Sequence, residues 1–212
     1  MATEQKKGES TGGLRSFLSK PAAYDFLQNL LGASKGRQHI ADTLIRAKPG
    51  DRVLDMGCGT ADILEFLPDV DYFGFDSSIE YIEAARSRYG NRGTFIHGIV
   101  GEAEVPDGKA FDIALAIGVL HHLQDKDAQS LFKTAREHLS PGGRLVTIDG
   151  CYEKGQFPLK TLILKMDRGN YVRYADHYVR LAQTSFAEPK VTMARRALPV
   201  PYTHIYLDCA AN

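Results

Sequence analysis

Hydrophobic and polar residues follow each other along this chain in short blocks, and the period of the pattern changes several times. Five short runs that contain apolar residues are predicted to be strands, and the fourth is nearly continuous in apolar residues, as expected of a strand that is covered on both faces. They lie at residues 52–56, 71–75, 94–97, 111–117 and 144–148. Between them, apolar residues recur at helical spacing at 61–67, 79–89 and 125–139. This alternation predicts an α/β fold with a mostly parallel, doubly wound sheet and helices on both faces.

Segments outside this alternation indicate how the chain is divided. Residues 1–13 are polar and are expected to be a disordered tail, and residues 14–212 are expected to form one domain. Helices are expected within residues 14–47, and a turn at Ser140–Gly143, where a proline precedes two glycines. After the fifth strand, the pattern is helical at 157–166 and 174–186 and strand-like at 190–195 and 204–209.

Composition and charge narrow the possible partners. The chain has 212 residues, with 26 Lys plus Arg and 26 Asp plus Glu, so its formal net charge is zero. This balance argues against nucleic acid as a partner, since nucleic-acid-binding domains usually carry a basic excess. No apolar run approaches the ~20 residues of a membrane helix, and the N-terminus lacks the apolar core of a signal peptide. The three cysteines have no CxxC spacing, so we expect no metal site and reduced thiols in the cytoplasm.

The residues around the first strand end indicate a nucleoside site. Val53-Leu-Asp-Met-Gly-Cys-Gly-Thr60 is a strand that runs into a glycine turn, and the second strand ends at Asp76. The glycines allow a sharp turn and a close approach of a ligand to the backbone. The helix start beyond the turn offers free N–H groups, and an acid about 20 residues further on can accept the ribose hydroxyls.

The missing third glycine and the acidic residues of the turn indicate which kind of nucleoside it binds. The dinucleotide fingerprint needs a third glycine at position 62, where this chain has Asp62. Asp55 and Asp62 are expected to repel a pyrophosphate group. A ligand with a ribose, no phosphate and a cationic end suits the turn better, and S-adenosylmethionine (SAM) has all three features.

In this motif the chain resembles the class I SAM-dependent methyltransferases, whose first motif has the form Asp-x-Gly-x-Gly. The resemblance implies a Rossmann-like sheet that closes with an antiparallel C-terminal hairpin, and the strand patterns at 190–195 and 204–209 match that hairpin. It also implies SAM as the cofactor and S-adenosylhomocysteine as its product.

The resemblance also implies which residues hold SAM. Relatives commonly carry an adenine-binding Asp after the third strand, but the segment Gly98–Ala103 contains none. We therefore expect Ile99 or Val100 to pack on the ring, and Glu102 is an alternative for the missing acid. The expected cofactor-binding residues are Asp55, Gly57, Cys58, Gly59, Asp76, Ser77, Ile99, Val100, Ile117 and Gly118.

Methyl transfer to an acidic acceptor also needs a group that removes a proton. Similar families carry a Leu-His-His-Leu segment beside the methionine portion of the cofactor, and this chain has one at Leu120–Leu123. His121 is therefore the candidate base, and Asp149, expected at the end of the fifth strand, is a candidate for holding the acceptor. Structural roles stay open for both residues, as a packed histidine and as a turn-forming aspartate before Gly150.

Residues 150–188 occupy the position where the family inserts an acceptor lid. Polar residues are dense between the two helices expected there, and arginine forks match carboxylate or phosphate groups. The alternative is an Asp–Arg pair that fixes a connection between helices. The candidate substrate-binding residues are His122, Asp167, Arg168, Arg173, Tyr178, Tyr202 and His204.

These features together predict an enzyme that moves a methyl group from SAM to a small molecule, with oxygen favoured over nitrogen or carbon. The chain resembles the branch that includes quinone-biosynthesis and natural-product methyltransferases. It lacks the Asn/Asp-Pro-Pro-aromatic sequence that amine-methylating DNA and protein enzymes tend to have. Two alternatives stay open: a non-catalytic nucleoside-binding module or partner subunit, and a nicotinamide-dependent oxidoreductase. The sequence is compatible with a monomer or a homodimer and predicts no membrane partner.

Overall fold

A central sheet organises the chain in the computed structural model, which describes residues 33–98, 110–155, 170–194 and 203–211. Its strands are β1 (Arg52–Met56), β2 (Asp71–Asp76), β3 (Thr94–His97), β4 (Phe111–Ile117), β5 (Leu139–Tyr152), β6 (Arg173–Tyr174), β7 (Lys190–Ala194) and β8 (Thr203–Ala210). Their order is β3-β2-β1-β4-β5-β8-β7, and β6 pairs with the end of β5. β8 is antiparallel to both β5 and β7, whereas the other pairs are parallel. The predicted doubly wound sheet with an antiparallel C-terminal hairpin is therefore confirmed.

Helices cover both faces of the sheet. In the described ranges they are α1 (Ala33–Ile40, continued by the π-helical turn Ala41–Ile45), α2 (Ile79–Tyr89), α3 (Asp125–His138) and α4 (Ala175–Ala182). Successive strand residues face opposite sides of a sheet. Leu54 and Met56 of β1 therefore pack with α3 and α4, while Val53 packs with α1 and α2. Within the residues described, no helix has the length and apolar character needed to cross a bilayer.

Several helices differ from their predicted bounds. The helix predicted at 61–67 is a 3-10 helix, Asp62–Phe66. The helix predicted at 174–186 is shorter, because α4 ends at Ala182. The tail predicted at 1–13, the first part (14–32) of the segment in which helices are predicted, and the helical pattern at 157–166 lie outside the described residues.

The clearest correction concerns the fifth strand. The turn predicted at Ser140–Gly143 is instead part of β5, where the register with β4 shifts between Phe111 and Ile113. Gly142 has a φ of 81°, so the chain bends locally there and the strand still continues. β5 also extends beyond Asp149 to Tyr152, because β8 and β6 both pair with its last residues. Asp149 therefore lies inside the strand and not at its end.

The sheet brings several of the predicted site residues to one edge. The strand order reverses between β1 and β4, and ligands of such sheets bind at the carboxyl ends of the strands at this reversal. β1, β2 and β4 end there at Met56, Asp76 and Ile117. The glycine turn after β1 and the histidine segment after β4 therefore face the same crevice.

Replacement of Phe132 by alanine tests the packing of α3 on the sheet. Phe132 is fully buried and its ring meets the Phe186 ring edge-on, with the centroids 6.4 Å apart. We expect Phe132→Ala to lower the free energy of unfolding by about 3–5 kcal/mol, because it removes a large buried ring and leaves a cavity. Lys133→Ala is the matched control on the same helix, with a side chain that is 74% exposed. Urea unfolding measures both variants, and similar losses in the two would contradict the packing described.

Candidate active site

The glycine turn after β1 is fixed by backbone bonds and by a close contact with the loop after β4. The N–H groups of Gly57 and Cys58 both donate to the carbonyl of Phe75, at 2.7 and 2.9 Å. Gly57 has a φ of 83°, and a Cβ there would lie 2.6 Å from Cγ2 of Val119. Only glycine satisfies both conditions, since its φ is unrestricted and it has no Cβ. The two loops thus meet at the strand reversal.

Asp76 is held firmly at the end of β2. Its Oδ2 accepts a hydrogen bond from the N–H of Gly59 at 2.8 Å, and its Oδ1 accepts one from the N–H of Ser78 at 2.8 Å. Each carboxylate oxygen can accept more than one bond, so Asp76 keeps capacity for ribose hydroxyls.

Ser78, not Ser77, caps α2 by accepting from the N–H of Tyr81. The exposed Ser77 contributes its carbonyl to a 3.0 Å hydrogen bond with the His97 ring.

Asp55 has a partner that the sequence reading missed. The hydroxyl of Tyr72 donates to Oδ2 of Asp55 at 2.6 Å, and both side chains are buried. Tyr72 pairs with Val53 in the parallel ladder, and Asp55 lies two residues further along β1 on the same face. The pairing of β1 with β2 could have indicated this hydrogen bond. Tyr72 lies opposite a residue two positions before Asp55, and a tyrosine side chain is long enough to reach that far along the shared face.

Gly74 leaves the space that this hydrogen bond needs. It pairs with Asp55 across the ladder, and a Cβ at Gly74 would lie 2.8 Å from Sγ of Cys58 and 3.0 Å from Cε1 of Tyr72. The tyrosine ring and the cysteine side chain therefore pack where a larger residue would place its side chain. Burial raises the pKa of the Cys58 thiol far above its usual range, which makes this cysteine a packing residue and not a nucleophile.

The electrostatics of Asp55 favour a cationic ligand. Burial raises its pKa to about 7, the Tyr72 hydrogen bond opposes this rise, and the charge of Asp76 adds to it. Its Oδ1 is buried and has no hydrogen-bond partner among the residues described. A buried acceptor without a partner is uncommon. An ammonium group, directly or through water, would satisfy it and stabilise the ionised form.

The expected repulsion between Asp62 and an anion does not hold in the structure. Asp62 bonds to the guanidinium groups of Arg37 and Arg88, each at 2.6 Å, and also accepts from the hydroxyl of Thr60. Its charge is thus offset by two cations. Ala61, the buried residue before Asp62, has a left-handed backbone with a φ of 56° where the 3-10 helix begins. The preference for a phosphate-free ligand therefore rests on Asp55 and not on Asp62.

His121 and Asp149 form a buried pair beyond the end of β4. Nδ1 of His121 lies 2.8 Å from Oδ1 of Asp149, and the backbone N–H of His121 donates to the same oxygen at 3.1 Å. His121 is 8% exposed and Asp149 is 1% exposed. Burial raises the pKa of Asp149, and the hydrogen bonds and charge of His121 oppose the rise. With Asp149 ionised, Nδ1–H donates to it, which leaves Nε2 as the ring nitrogen able to take a proton.

The ring of His122 lies beside the ring of His121. The ring centroids of His121 and His122 are 4.1 Å apart, and His122 is exposed while His121 is buried. Both belong to the 3-10 turn Leu120–His122. A His–Asp pair with one buried ring is an arrangement that can accept a proton and stabilise the imidazolium that forms.

Three of the predicted substrate-binding residues, Arg173, Tyr178 and His204, are buried, and three others lie outside the described residues. Arg173 is buried and bonded to Asp125 and to three backbone carbonyls, which favours the alternative of an Asp–Arg pair that fixes a connection. Tyr178 is fully buried, and its hydroxyl donates to the carbonyl of Gly150 at 3.0 Å. His204 is buried on β8 opposite Gly150. The predicted residues that lie outside the described residues are Ile99, Val100, the alternative Glu102, Asp167, Arg168 and Tyr202.

Two further points complete the site. Ile117 and Gly118 lie at the end of β4, and the N–H of Gly118 donates to the carbonyl of Ile148 at 2.7 Å, so the loop begins close to β5. The described residues contain no group of three or more His, Cys, Asp or Glu side chains placed to hold a metal ion.

Comparisons with known proteins agree with this geometry. Residues 53–143 match the family described as "Methyltransferase domain". The chain is 32% identical over 115 residues to the probable tRNA methyltransferase 9B of Mus musculus, a match that covers 53% of this chain and 25% of the relative. It is 26% identical over 203 residues to the ubiquinone/menaquinone biosynthesis C-methyltransferase UbiE of Burkholderia mallei (strain SAVP1), covering 88% of this chain and 81% of the relative.

A solved structure supports the fold independently. The pyocyanin biosynthetic protein PhzM superimposes with a TM-score of 0.70 at 21% identity, and the match covers 92% of this chain and 61% of that chain. The glycine turn, the strand order, the methyltransferase-domain match over residues 53–143 and these similarities together support a class I SAM-dependent methyltransferase, which agrees with the predicted resemblance.

Removal of the Asp55 carboxyl should change how stability depends on pH. The pKa of Asp55 is about 7 in the folded chain and near 3.8 without burial. Between these values the unfolded chain releases a proton that the folded chain keeps, so this group makes stability fall as pH rises. We expect the stability of the wild type relative to Asp55→Asn to decrease steadily from about pH 4 to about pH 7.

Urea unfolding at several pH values measures this difference. Asp71→Asn is the control, since Asp71 lies at the exposed beginning of the same strand that carries Tyr72. A constant difference between wild type and Asp55→Asn over the whole range would contradict the raised pKa.

Proposed function

We propose that this protein is an enzyme that transfers the methyl group of SAM to a small-molecule acceptor. The observation that carries the proposal is the Asp55–Gly59 turn beside Asp76 at the strand reversal, with a buried, unsatisfied carboxylate oxygen on Asp55. The match of residues 53–143 to a methyltransferase domain supports the same activity. The chain spans a quarter of the mouse relative's length, so the activity of the whole protein is inferred from the site.

The residues present fit SAM at three points. Asp76 would hold the ribose, because its carboxylate is fixed by two backbone N–H groups and keeps accepting capacity. The turn from Gly57 to Gly59 would pass close to the ligand. Asp55 would offset the ammonium group through its buried Oδ1. When bound, SAM supplies an electrophilic methyl group on a neutral leaving group, so the protein mainly positions the two reactants.

The His121–Asp149 pair is the proposed base of the acceptor half. Asp149 holds the imidazole through Nδ1 and would stabilise the protonated ring. Nε2 would accept the proton that an acidic acceptor loses as the new bond forms. This role supports a hydroxyl as the favoured target over nitrogen or carbon, because a hydroxyl must lose a proton to become a strong nucleophile. The relative named as a C-methyltransferase keeps carbon as the second candidate.

A small molecule is favoured as the acceptor. The Burkholderia relative is named for ubiquinone and menaquinone biosynthesis, and the structural neighbour is named for pyocyanin biosynthesis. The neutral formal charge of the chain also argues against nucleic acid. We further propose the cytoplasm as the compartment, because Cys58, Cys151 and Cys209 are all unpaired thiols.

Replacement of Asp76 tests the cofactor half of this proposal. Asp76→Ala should weaken SAM binding by roughly tenfold or more, because the ribose would lose charge-assisted hydrogen bonds. Asp71→Ala, at the other end of β2 and paired with Arg52, should leave binding unchanged. Titration calorimetry with SAM and with NADH measures both variants beside the wild type. Binding of NADH without SAM would replace the proposal with the nicotinamide alternative, and equal SAM affinity in both variants would remove Asp76 from the site.

Replacement of His121 tests the base. His121→Gln should lower the rate of S-adenosylhomocysteine formation by about 10² to 10⁴-fold while SAM affinity changes little, because general-base catalysis contributes that much. The assay uses a panel of phenols, hydroxy acids and amines as acceptors. His138→Gln is the control, since His138 lies at the end of α3 and bonds to the carbonyl of Thr134. SAM binding without turnover on any acceptor in the wild type would favour the non-catalytic module.

A further inference from the structure

Arg173 connects the two strand ends that supply the His–Asp pair. Its backbone belongs to β6, where it pairs with Cys151 of β5, two residues beyond Asp149. Its side chain extends to the segment after β4 that carries His121. One residue therefore contacts both of the segments whose relative position sets the distance between His121 and Asp149.

The guanidinium group of Arg173 uses all of its donors, four of them on this segment and one on the carbonyl of Tyr171. Nη1 donates to the carbonyls of Leu120 and Tyr171, each at 2.8 Å. Nη2 donates to the carbonyl of Leu123 at 2.6 Å and to Oδ1 of Asp125 at 2.7 Å, and Nε donates to the same Oδ1 at 2.9 Å. An arginine side chain has five N–H donors in a fixed plane. Every one of them is engaged, so none is left for an acceptor unless an existing bond breaks.

The accepting carbonyls lie on both sides of the histidine. Leu120 precedes His121 in the 3-10 turn, and Leu123 follows the turn. The backbone N–H of Tyr171 also donates to the carbonyl of His121 at 2.9 Å. These bonds define the path of the turn, because they hold it at its beginning, at the histidine and after its end.

Arg173 also packs on a side chain that is bonded to the residue after Asp149. The guanidinium carbon lies 5.7 Å from the centre of the Tyr178 ring, a distance at which a cation is attracted to the ring. The hydroxyl of Tyr178 donates to the carbonyl of Gly150, the residue after Asp149. Arg173 thus packs on the side chain that anchors the Asp149 segment while it bonds to the His121 segment.

Burial makes this arrangement sensitive to the geometry of the cation. Arg173 is 5% exposed, and removal of a charge from water costs several kcal/mol unless hydrogen bonds and a counter-charge replace the lost hydration. Asp125 supplies the counter-charge and the carbonyls supply the remaining acceptors. A lysine has the same charge but three donors on a single nitrogen, so it cannot reach four acceptors spread around a planar fork.

We propose that Arg173 is a positioning residue that holds the His121 turn against Asp149 and so maintains the hydrogen bond between Nδ1 of His121 and Asp149. It acts on the reaction through His121 and does not touch the acceptor. The catalytic meaning of this role rests on the proposed function, whereas the geometric role does not depend on it.

The test compares Arg173→Lys with the matched control Arg180→Lys. Arg180 lies on α4 and forms an exposed pair with Asp176, so both variants exchange the same residue types. Proton NMR of the protein without ligand follows the downfield Nδ1–H signal of His121, assigned by its absence in His121→Gln. Parallel measurements give SAM affinity by calorimetry, and kcat and the acceptor KM with any acceptor that turns over.

We expect Arg173→Lys to lose or broaden the Nδ1–H signal and to lower kcat by roughly 10- to 100-fold, the effect of a small misplacement of a catalytic group. SAM affinity should be unchanged, and Arg180→Lys should match the wild type in every measurement. A retained Nδ1–H signal with a normal kcat and a raised acceptor KM would overturn the proposal and make Arg173 an acceptor-binding residue.

A second variant keeps the test decisive if Arg173→Lys does not fold. Asp125→Asn removes the counter-charge, and Asp125 is itself half-exposed. We expect it to weaken the Nδ1–H signal, and an unchanged signal in a folded Asp125→Asn variant would overturn the proposal. Because the NMR measurement needs neither SAM nor an acceptor, absence of SAM binding would reject the proposed function and leave this test intact.

Discussion

A carboxyl group that is taken out of water needs a partner, and this requirement governs the candidate site. The sheet buries Asp55 and Asp149 almost completely, and an isolated buried carboxylate costs far more than a protein of this size can tolerate. Each one receives a hydrogen bond from a residue on a neighbouring segment, Tyr72 for Asp55 and His121 for Asp149. Much of the remaining structure near the crevice positions those two donors. Gly74 leaves room for the Tyr72 ring, and the Arg173 contacts hold the turn that carries His121.

Neither partner satisfies its carboxyl group fully. Oδ1 of Asp55 and Oδ2 of Asp149 are buried without a hydrogen-bond partner among the residues described, and burial raises the pKa of both groups. A site that completed these bonds internally would be more stable, but it would have less to offer a cationic ligand or a proton. The incomplete partnership suits the proposed methyl transfer, since both a sulfonium compound with an ammonium group and a developing imidazolium are cations.

The parts of the fold that the sequence predicted are those that local pattern determines. The apolar runs predicted β1 to β4 closely, and the glycine turn predicted how β1 leaves the sheet. Ser140–Gly143 is not a turn between two elements, because β5 pairs with β4 on both sides of it, at Leu139 and again from Arg144 onward. Gly142 and Gly143 also bond to the backbone of the distant Ala211, whereas proline and glycine indicate only the local bend. Asp62 was read as a free charge because its partners Arg37 and Arg88 are far from it in the sequence.

The proposed site has a nucleoside half and an acceptor half, and they differ in how far apart in the sequence their residues lie. The proposed nucleoside half combines backbone groups with the carboxylates of Asp55 and Asp76, all within the first two strands and their turns, so its motif is short and can be read directly. The acceptor half depends on side chains that meet across 28 residues for His121 and Asp149, and across 48 residues for Arg173 and Asp125. No periodicity records such pairings. We therefore expect substitutions in the proposed acceptor half to change the chemistry while the proposed nucleoside half continues to bind its ligand, because the two halves share the sheet edge but few of their supporting contacts.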